Sequence, residues 1–399
     1  MLFLGAGASM RFGVPTMEGE KGLSGKFEKE VIENNTGLTK GEQEVYLDIK
    51  NILGANNLEN ILTVLNDLSE ELRNPSISYF KFNLDSQFKK CEEIIPNYIE
   101  CLKGDIKQLE GKIKSRQGGR PRRRDVYASS VENMKEKKKM HEGRIKEESK
   151  VLDKIKEKQS LLHPELSENL KSKIIEFIRK NCDLNEKNQN DIIKTYNQLF
   201  AILKYDSHSV FKIFTTNYDR VIETYFESKD NFDDFYDGFT CKDSRICDWR
   251  PEGYDEDYKI KLFKLHGSID QFIENGRIIK CWREPIGTEN AMIYPMREKE
   301  VYKDPFFELF IRLKTSLLSE KICIVIGYSF GDEHIQNVFF DAVKRNPEIK
   351  ILFGNKNPDE VIKNLEPIKD NIIPIEGEFG KETFFERLEE EIEKCKSSS

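Results

Sequence analysis

Hydrophobic positions along the chain fall into two patterns. At the start, Met1-Leu-Phe-Leu is a short unbroken apolar run that stops at Gly5. From about residue 208 onward similar runs recur: VFKIFTTN, KIKLFKLHGS, KICIVIGYSF, KILFGN and NIIPIEG. Short apolar runs bounded by turn residues read as buried strands. Helical spacing follows Tyr218, Tyr302, Asp332 and Pro358. Alternation of this kind predicts an α/β fold, with a parallel sheet and helices on both faces. Ligands of such sheets bind at the carboxyl ends of the strands, so polar residues just past those ends are the candidates for chemistry.

The segment between follows a different period. In LENILTVLNDLSEEL, Leu58, Ile61, Leu62, Leu65 and Leu68 share one face at 3–4 spacing. From about 96 to 160 the chain is rich in Lys and Glu, which predicts a long polar helix or helical hairpin. SRQGGRPRRRD, from Ser115 to Asp125, breaks it with glycines, a proline and arginines, as a hairpin tip or loop would. Helices are also expected from Pro164 and over NDIIKTYNQLFAIL. The chain therefore divides into residues 1–39, a helical insertion over 40–205, and residues 206–399 that continue the sheet.

Composition narrows the function. The 399 residues are 38% hydrophobic, enough for one large domain with an insertion or for two domains. The net charge of −7 argues against a generally basic nucleic-acid binder. Residues 101–160 run the other way, with 19 Lys and Arg against 10 Asp and Glu. Nowhere is there an apolar run of about 18 residues, so no membrane span is expected. MLFLGAGAS lacks the basic start and length of a signal peptide. The eight cysteines form no Cys-x-x-Cys pair, and together these features lead to an expectation of reduced thiols in a cytoplasmic protein.

Four strand ends carry polar or glycine-rich turns. Gly5-Ala6-Gly7-Ala8-Ser9 fits either a plain tight turn or a phosphate-binding turn followed by a helix N-terminus. Met10 occupies the place of the third glycine in the dehydrogenase fingerprint. In TTNYD, Asn217 and Asp219 follow a strand directly, and Asp219 is expected to cap the helix RVIETYF. His266 in KLHGSID ends another strand, either as a structural residue or as a general base. Gly327, Ser329 and Gly331 form a small-residue turn, with Asp332 placed to cap the next helix.

The order of these signals resembles the sirtuin family, in particular its divergent sirtuin-like branch in bacterial antiphage defence proteins. The resemblance covers residues 1 to about 20 and about 208 to 380. It implies a Rossmann-like NAD-binding domain. Gly5, Ala6, Gly7 and Ser9 then correspond to the turn that holds the NAD+ phosphates. Pro15 and Thr16 in GVPTM correspond to the loop over the nicotinamide. Asn217 corresponds to the residue by the nicotinamide ribose, Asp219 to the one by the carboxamide, and His266 to the catalytic histidine. Gly327 and Ser329 match the turn by the adenosine half, and Asn355 matches the contact to the adenine-side ribose.

Two departures shape the expected activity. Deacylating sirtuins hold a structural zinc with two Cys-x-x-Cys pairs, which this chain lacks, so no zinc is expected. Thr16, Met17 and Glu18 replace the family's Phe-Arg region. Both favour water as acceptor: an NAD+ hydrolase rather than a protein deacylase or ADP-ribosyltransferase, with a non-catalytic NAD- or ADP-ribose-binding scaffold as a further alternative. The resemblance also implies an antiphage effector acting as a homo-oligomer or with a HerA-type ATPase. The chain has no GxxxxGK[ST] motif, so ATPase activity is expected from another chain. Nucleic-acid contact by residues 115–124 rests on one short basic stretch.

Overall fold

The computed structural model describes residues 1–54, 57–73, 96, 99–115, 128–158, 164–184, 188–203, 210–229, 232–241, 246–282, 285, 288–292 and 305–397. In chain order the strands are β1 (Leu2–Leu4), β2 (Phe211–Thr215), β3 (Phe235–Tyr236), β4 (Phe239–Cys241), β5 (Ile246–Trp249), β6 (Ile260–Lys264), β7 (Gln271–Glu274), β8 (Arg277–Cys281), β9 (Glu289–Asn290), β10 (Ile322–Ile326), β11 (Lys350–Asn355) and β12 (Ile372–Glu376). The helices are α1 (Leu23–Phe27), α2 (Lys40–Leu53), α3 (Leu58–Arg73), α4 (Ala128–Lys158), α5 (Pro164–Cys182), α6 (Gln189–Leu203), α7 (Val221–Glu227), α8 (Phe306–Ser319), α9 (Glu333–Arg345), α10 (Pro358–Ile362) and α11 (Glu382–Ser397).

The apolar runs form the main sheet as expected. Its order is β12-β11-β10-β1-β2-β6-β3, and every pairing is parallel. Numbered by position in the chain, its six principal strands run 3-2-1-4-5-6, the doubly wound order of dinucleotide-binding sheets. The direction of winding reverses between β1 and β10. β1 has only three residues but sits centrally: Leu2 pairs with Ile213 on one side and with Ile324 on the other. Leu2 and Phe3 are fully buried and Leu4 nearly so. At about 1.5–3 kcal/mol per buried large side chain, this short strand is held by packing rather than by length. Phe3 meets Tyr328 at 4.9 Å and Phe339 at 5.5 Å, and Phe214 stacks on Phe263 at 4.5 Å.

A second sheet, β4-β5-β8-β7-β9, is antiparallel and was not foreseen. Its strands are too short for a strong period-2 signal. One cue was present: Asn275 and Gly276, both at positive φ, join β7 to β8, and Asn-Gly is the preferred tight hairpin turn. This sheet also corrects the expectation of reduced thiols throughout. The β4–β5 ladder sets Cys241 opposite Cys247, and the two are joined as a disulfide. Cys101, Cys182, Cys281, Cys323 and Cys395 are not in disulfides.

The chain forms two compact units. One consists of Met1–Leu38, Asp48–Val64 and Lys171–Ser399; the other of Thr39–Leu47 and Leu65–Leu170. The expected boundaries at 40 and 205 follow composition, whereas these units follow packing. The first turns of α3 and most of α5 and α6 belong with the sheet. Their apolar faces explain this: Leu58, Ile61 and Leu62 are fully buried, as are Ile174, Ile178, Ile192 and Leu199. The side chain of Leu68 lies outside the described residues.

In the second unit, Thr39 and Glu42 make a reciprocal capping box at the start of α2, with bonds of 2.6 and 3.3 Å. The expected polar hairpin is present as helical backbone over 99–115 and α4, bridged by Lys138 and Glu110 at 2.7 Å. Of the arginine-rich stretch 115–124, all but Ser115 lies outside the described residues. No helix among the described residues is long and apolar enough to cross a membrane.

Candidate functional site

The carboxyl ends of β1, β2, β6, β10 and β11 lie side by side across the point where the sheet's winding reverses. The β1 end is anchored first. Gly5 N–H donates to Ile326 O at 3.0 Å and Gly7 N–H to Gly327 O at 2.8 Å. A Cβ on Gly5 would sit 2.5 Å from Tyr328 Cα, and one on Gly7 2.8 Å from Gly327 Cα. Close approach of the β10 loop is thus a sufficient reason for both glycines. Gly327 itself has φ +66, and a Cβ there would meet Ala8 N at 2.3 Å.

The turn leads into two short 3-10 turns, Ala6–Ala8 and Met10–Phe12, rather than an α-helix. Ala8 N–H donates to Gly5 O and Ser9 N–H to Ala6 O. The free donors of a helix N-terminus, expected here, are largely taken by the turn itself. Arg11 fixes the turn from outside with a forked pair to Asp191, at 3.0 and 2.8 Å.

The β2 end gathers the polar residues. Thr215 donates its hydroxyl to Leu4 O and accepts Asn217 N–H, both at 3.0 Å. The Asn217 side-chain amide then donates to Gly5 O and to Ser9 Oγ, each at 3.0 Å. Ser9, 1% exposed, donates a hydrogen bond from its hydroxyl to the Asp219 carboxylate. Asn217, Ser9 and Asp219 are thus one hydrogen-bonded chain joining two strand ends. Asn217 Oδ1 is buried and has no partner among the described residues. Leaving a buried polar oxygen unpaired costs about 1–3 kcal/mol, so this atom calls for a partner such as a water or a ligand group.

Asp219 is buried, and burial raises its carboxyl above the ordinary range; Lys264, the Val221 N–H and Ser9 pull the other way. Its capping role differs slightly from expectation. Arg220 holds the N-cap position of α7, while Asp219 Oδ1, one residue earlier, accepts the Val221 N–H at 2.9 Å. Beneath it Lys264 bonds to the Asp219 carbonyl and pairs with Glu223 Oε1 at 3.0 Å.

His266 is 5% exposed at the end of β6. Its Nε2 lies 2.9 Å from Asp332 Oδ2. Asp332 caps α9 as expected, through Oδ1 and the N–H groups of His334 and Ile335 at 2.9 and 3.4 Å. Burial works against its charge, but the His266 bond and the two backbone donors outweigh burial and hold its carboxyl below the ordinary value. An Asp that caps a helix with one oxygen and orients a histidine with the other was not read from sequence. Phe330, at φ +54, is the non-glycine residue that bends this loop into place.

The remaining candidates sit farther out. Asn355 donates to Tyr328 O at 3.3 Å and accepts from Asn357 N–H. Ser329 is exposed. Thr16 bonds within its own loop to Glu18 O, and Pro15 is partly buried beside it. That loop docks on α3: Asn57 Nδ2 donates to Glu18 Oε1 at 2.8 Å, and Leu58 N–H to Ser24 Oγ at 3.0 Å.

Sequence reasoning missed Glu59, in the first turn of α3. Tyr218, the residue between Asn217 and Asp219, donates its hydroxyl to Glu59 Oε1 at 2.9 Å. Burial pushes the Glu59 carboxyl up to about 7, against the opposing pull of His266 and Tyr218. The signal was obscured because Glu59 belongs to a segment with the pattern of an ordinary amphipathic helix.

Residues 212–367 match the family model described as SIR2-like domain. The chain therefore carries a sirtuin-like domain with an NAD-related function, built on the α/β sheet described above. No curated protein matches the chain.

Proposed function

With a SIR2-like domain over residues 212–367 as the premise, we propose that this chain is an NAD+ glycohydrolase that splits NAD+ into nicotinamide and ADP-ribose. The observation that carries the reading is the Asn217–Ser9–Asp219 chain at the end of β2, the strand beside β6 with its His266–Asp332 pair, with Asn217 Oδ1 buried and without a partner among the described residues.

Breaking the glycosidic bond leaves positive charge at the ribose C1′. The residues then have to hold the ribose, hold the carboxamide and admit a water. Asn217 is fixed through its amide nitrogen, so its free carbonyl oxygen is available to a ribose hydroxyl or to the water. Asp219 is the candidate for the carboxamide, whose N–H groups suit an acceptor. His266 is oriented through Nε2 by Asp332, which leaves Nδ1 as its other polar atom. Gly5, Gly7, Gly327, Ser329 and Asn355 are the candidates for the phosphates and the adenosine half. Cys241 and Cys247 are bonded to each other, which removes two thiols from any zinc-ligand set.

In this reading the chain is an effector of antiphage defence that depletes NAD+. A freely active hydrolase harms its own cell, so oligomerisation or a HerA-type ATPase subunit controls it. Resemblance to the defence branch supports this part.

The test is NAD+ consumption by the purified chain, alone and with a co-expressed HerA-type ATPase and DNA, with products separated by chromatography. Free nicotinamide and ADP-ribose are expected. An acylated or ADP-ribosylated protein product would replace hydrolysis with transfer. NAD+ that binds but stays intact under every condition would leave a binding scaffold.

A further inference from the structure

We propose that Glu59 is a further catalytic residue of this site: the carboxylate that takes the proton from the attacking water, supported by Tyr218. The inference deepens the NAD+-cleaving reading and rests on it. Glu59 comes from α3, outside the matched domain, yet it is joined to the TTNYD segment by the Tyr218 hydroxyl at 2.9 Å. Tyr218 is well placed to transmit position. Its carbonyl accepts Ser268 Oγ at 3.1 Å and Ile269 N–H at 3.0 Å, locking it to the loop just after His266. The base of α3 is equally fixed, since Asn57 Oδ1 caps it through the Glu59 and Asn60 N–H groups at 2.9 and 3.4 Å.

The division of labour follows from what each group already does. His266 Nε2 is committed to Asp332. The Asn217 amide nitrogen is committed to Gly5 and Ser9. Glu59 uses only Oε1, on Tyr218; among the described residues Oε2 has no hydrogen-bond partner, and the residue is partly buried. The groups that act on this carboxyl are Tyr218 and His266, which favour its charge, and Asp332 and Glu18, which oppose it. Burial is the largest influence and brings it to about 7, where a base both accepts and releases a proton readily.

The step balances without a further reagent. The C1′–N1 bond breaks with its electron pair going to the pyridine nitrogen, so nicotinamide leaves neutral. The water oxygen bonds to C1′, its proton passes to the Glu59 carboxylate, and Glu59 later returns that proton to solvent. The products are nicotinamide, ADP-ribose and one proton.

Two measurements test this. The first needs no turnover: a carboxyl-carbon NMR titration of Glu-labelled full-length protein, with Glu59 assigned by its loss in Glu59→Gln. A midpoint near 7 is expected. It should rise in Tyr218→Phe, which removes a bond that favours the charged form. A midpoint in the ordinary carboxylate range overturns the proposal. The second is NAD+ cleavage against pH. Glu59→Gln should lower kcat by about 10²-fold or more, leave KM within about threefold, and abolish the acidic limb near pH 7. In Tyr218→Phe that limb should survive but move to higher pH. A Glu59→Gln profile that keeps the wild-type limb overturns Glu59 alone. A wild-type chain that titrates near 7 yet never cleaves NAD+ overturns the hydrolase reading, and this step with it.

Discussion

His266 Nε2 lies 2.9 Å from Asp332 Oδ2, and Asp332 at the same time caps α9. One carboxylate thus ties the end of β6 to the loop after β10, fixing the imidazole by a residue that is itself fixed by a helix.

Substituting Asp332 separates the two roles. Asp332→Asn keeps an oxygen for the cap but loses the charge beside His266. NAD+ turnover should fall by about 10²-fold with a modest loss of stability. Asp332→Ala should lose about 1 kcal/mol more, the cost of a missing cap. The pH dependence has a definite sign. The folded Asp332 carboxyl is held below its unfolded value. Its stabilisation is therefore present above about pH 4 and lost as pH falls through the folded value. Urea denaturation of wild type and Asp332→Asn should differ near neutrality and converge on acidification.

Asn217→Ala should leave a folded protein without turnover. It removes two hydrogen bonds, at about 0.5–1.5 kcal/mol each, against a large effect on ribose positioning. Circular dichroism and product chromatography on one preparation decide this. A variant that retains full turnover would mean that Asn217 only braces the glycine turn.

The Lys264–Glu223 pair, with side chains 3% and 2% exposed, lies under the Asp219 backbone. Lys264→Met strands a buried carboxylate and should cost about 3–5 kcal/mol. Lys264→Met combined with Glu223→Leu should cost clearly less than the sum of the single changes. A urea-denaturation cycle measures the coupling, and simple additivity would mean the two charges act independently.

Gly5→Ala should fail by misfolding rather than by weak NAD+ binding. Its Cβ would meet Tyr328 Cα at 2.5 Å, a backbone atom that cannot move aside. Overpacking of this kind costs about 1–3 kcal/mol or more. Thermal denaturation should show the loss without ligand. A variant with wild-type stability and lost NAD+ binding would instead place Gly5 against the phosphates.

The sequence by itself determined the main sheet and most of the residues at its edge. Strands of a parallel sheet read as short, largely apolar runs, so β1, β2, β6, β10, β11 and β12 were legible one by one. The polar residues just past them were conspicuous because nothing in a buried strand calls for Asn217, Asp219 or His266. Tertiary structure decided which of these residues meet. Glu59 and Tyr218 are 159 residues apart, and only tertiary folding brings the carboxylate to the tyrosine hydroxyl. Asp332 looked like a cap and is one, but its second oxygen found His266 because the winding sets β6 and β10 on opposite sides of β1 and β2, with their ends on one edge. The Cys241–Cys247 bond likewise depends on ladder register. Local periodicity reports which face of an element is apolar; it carries no information on which distant side chain will face a given polar group.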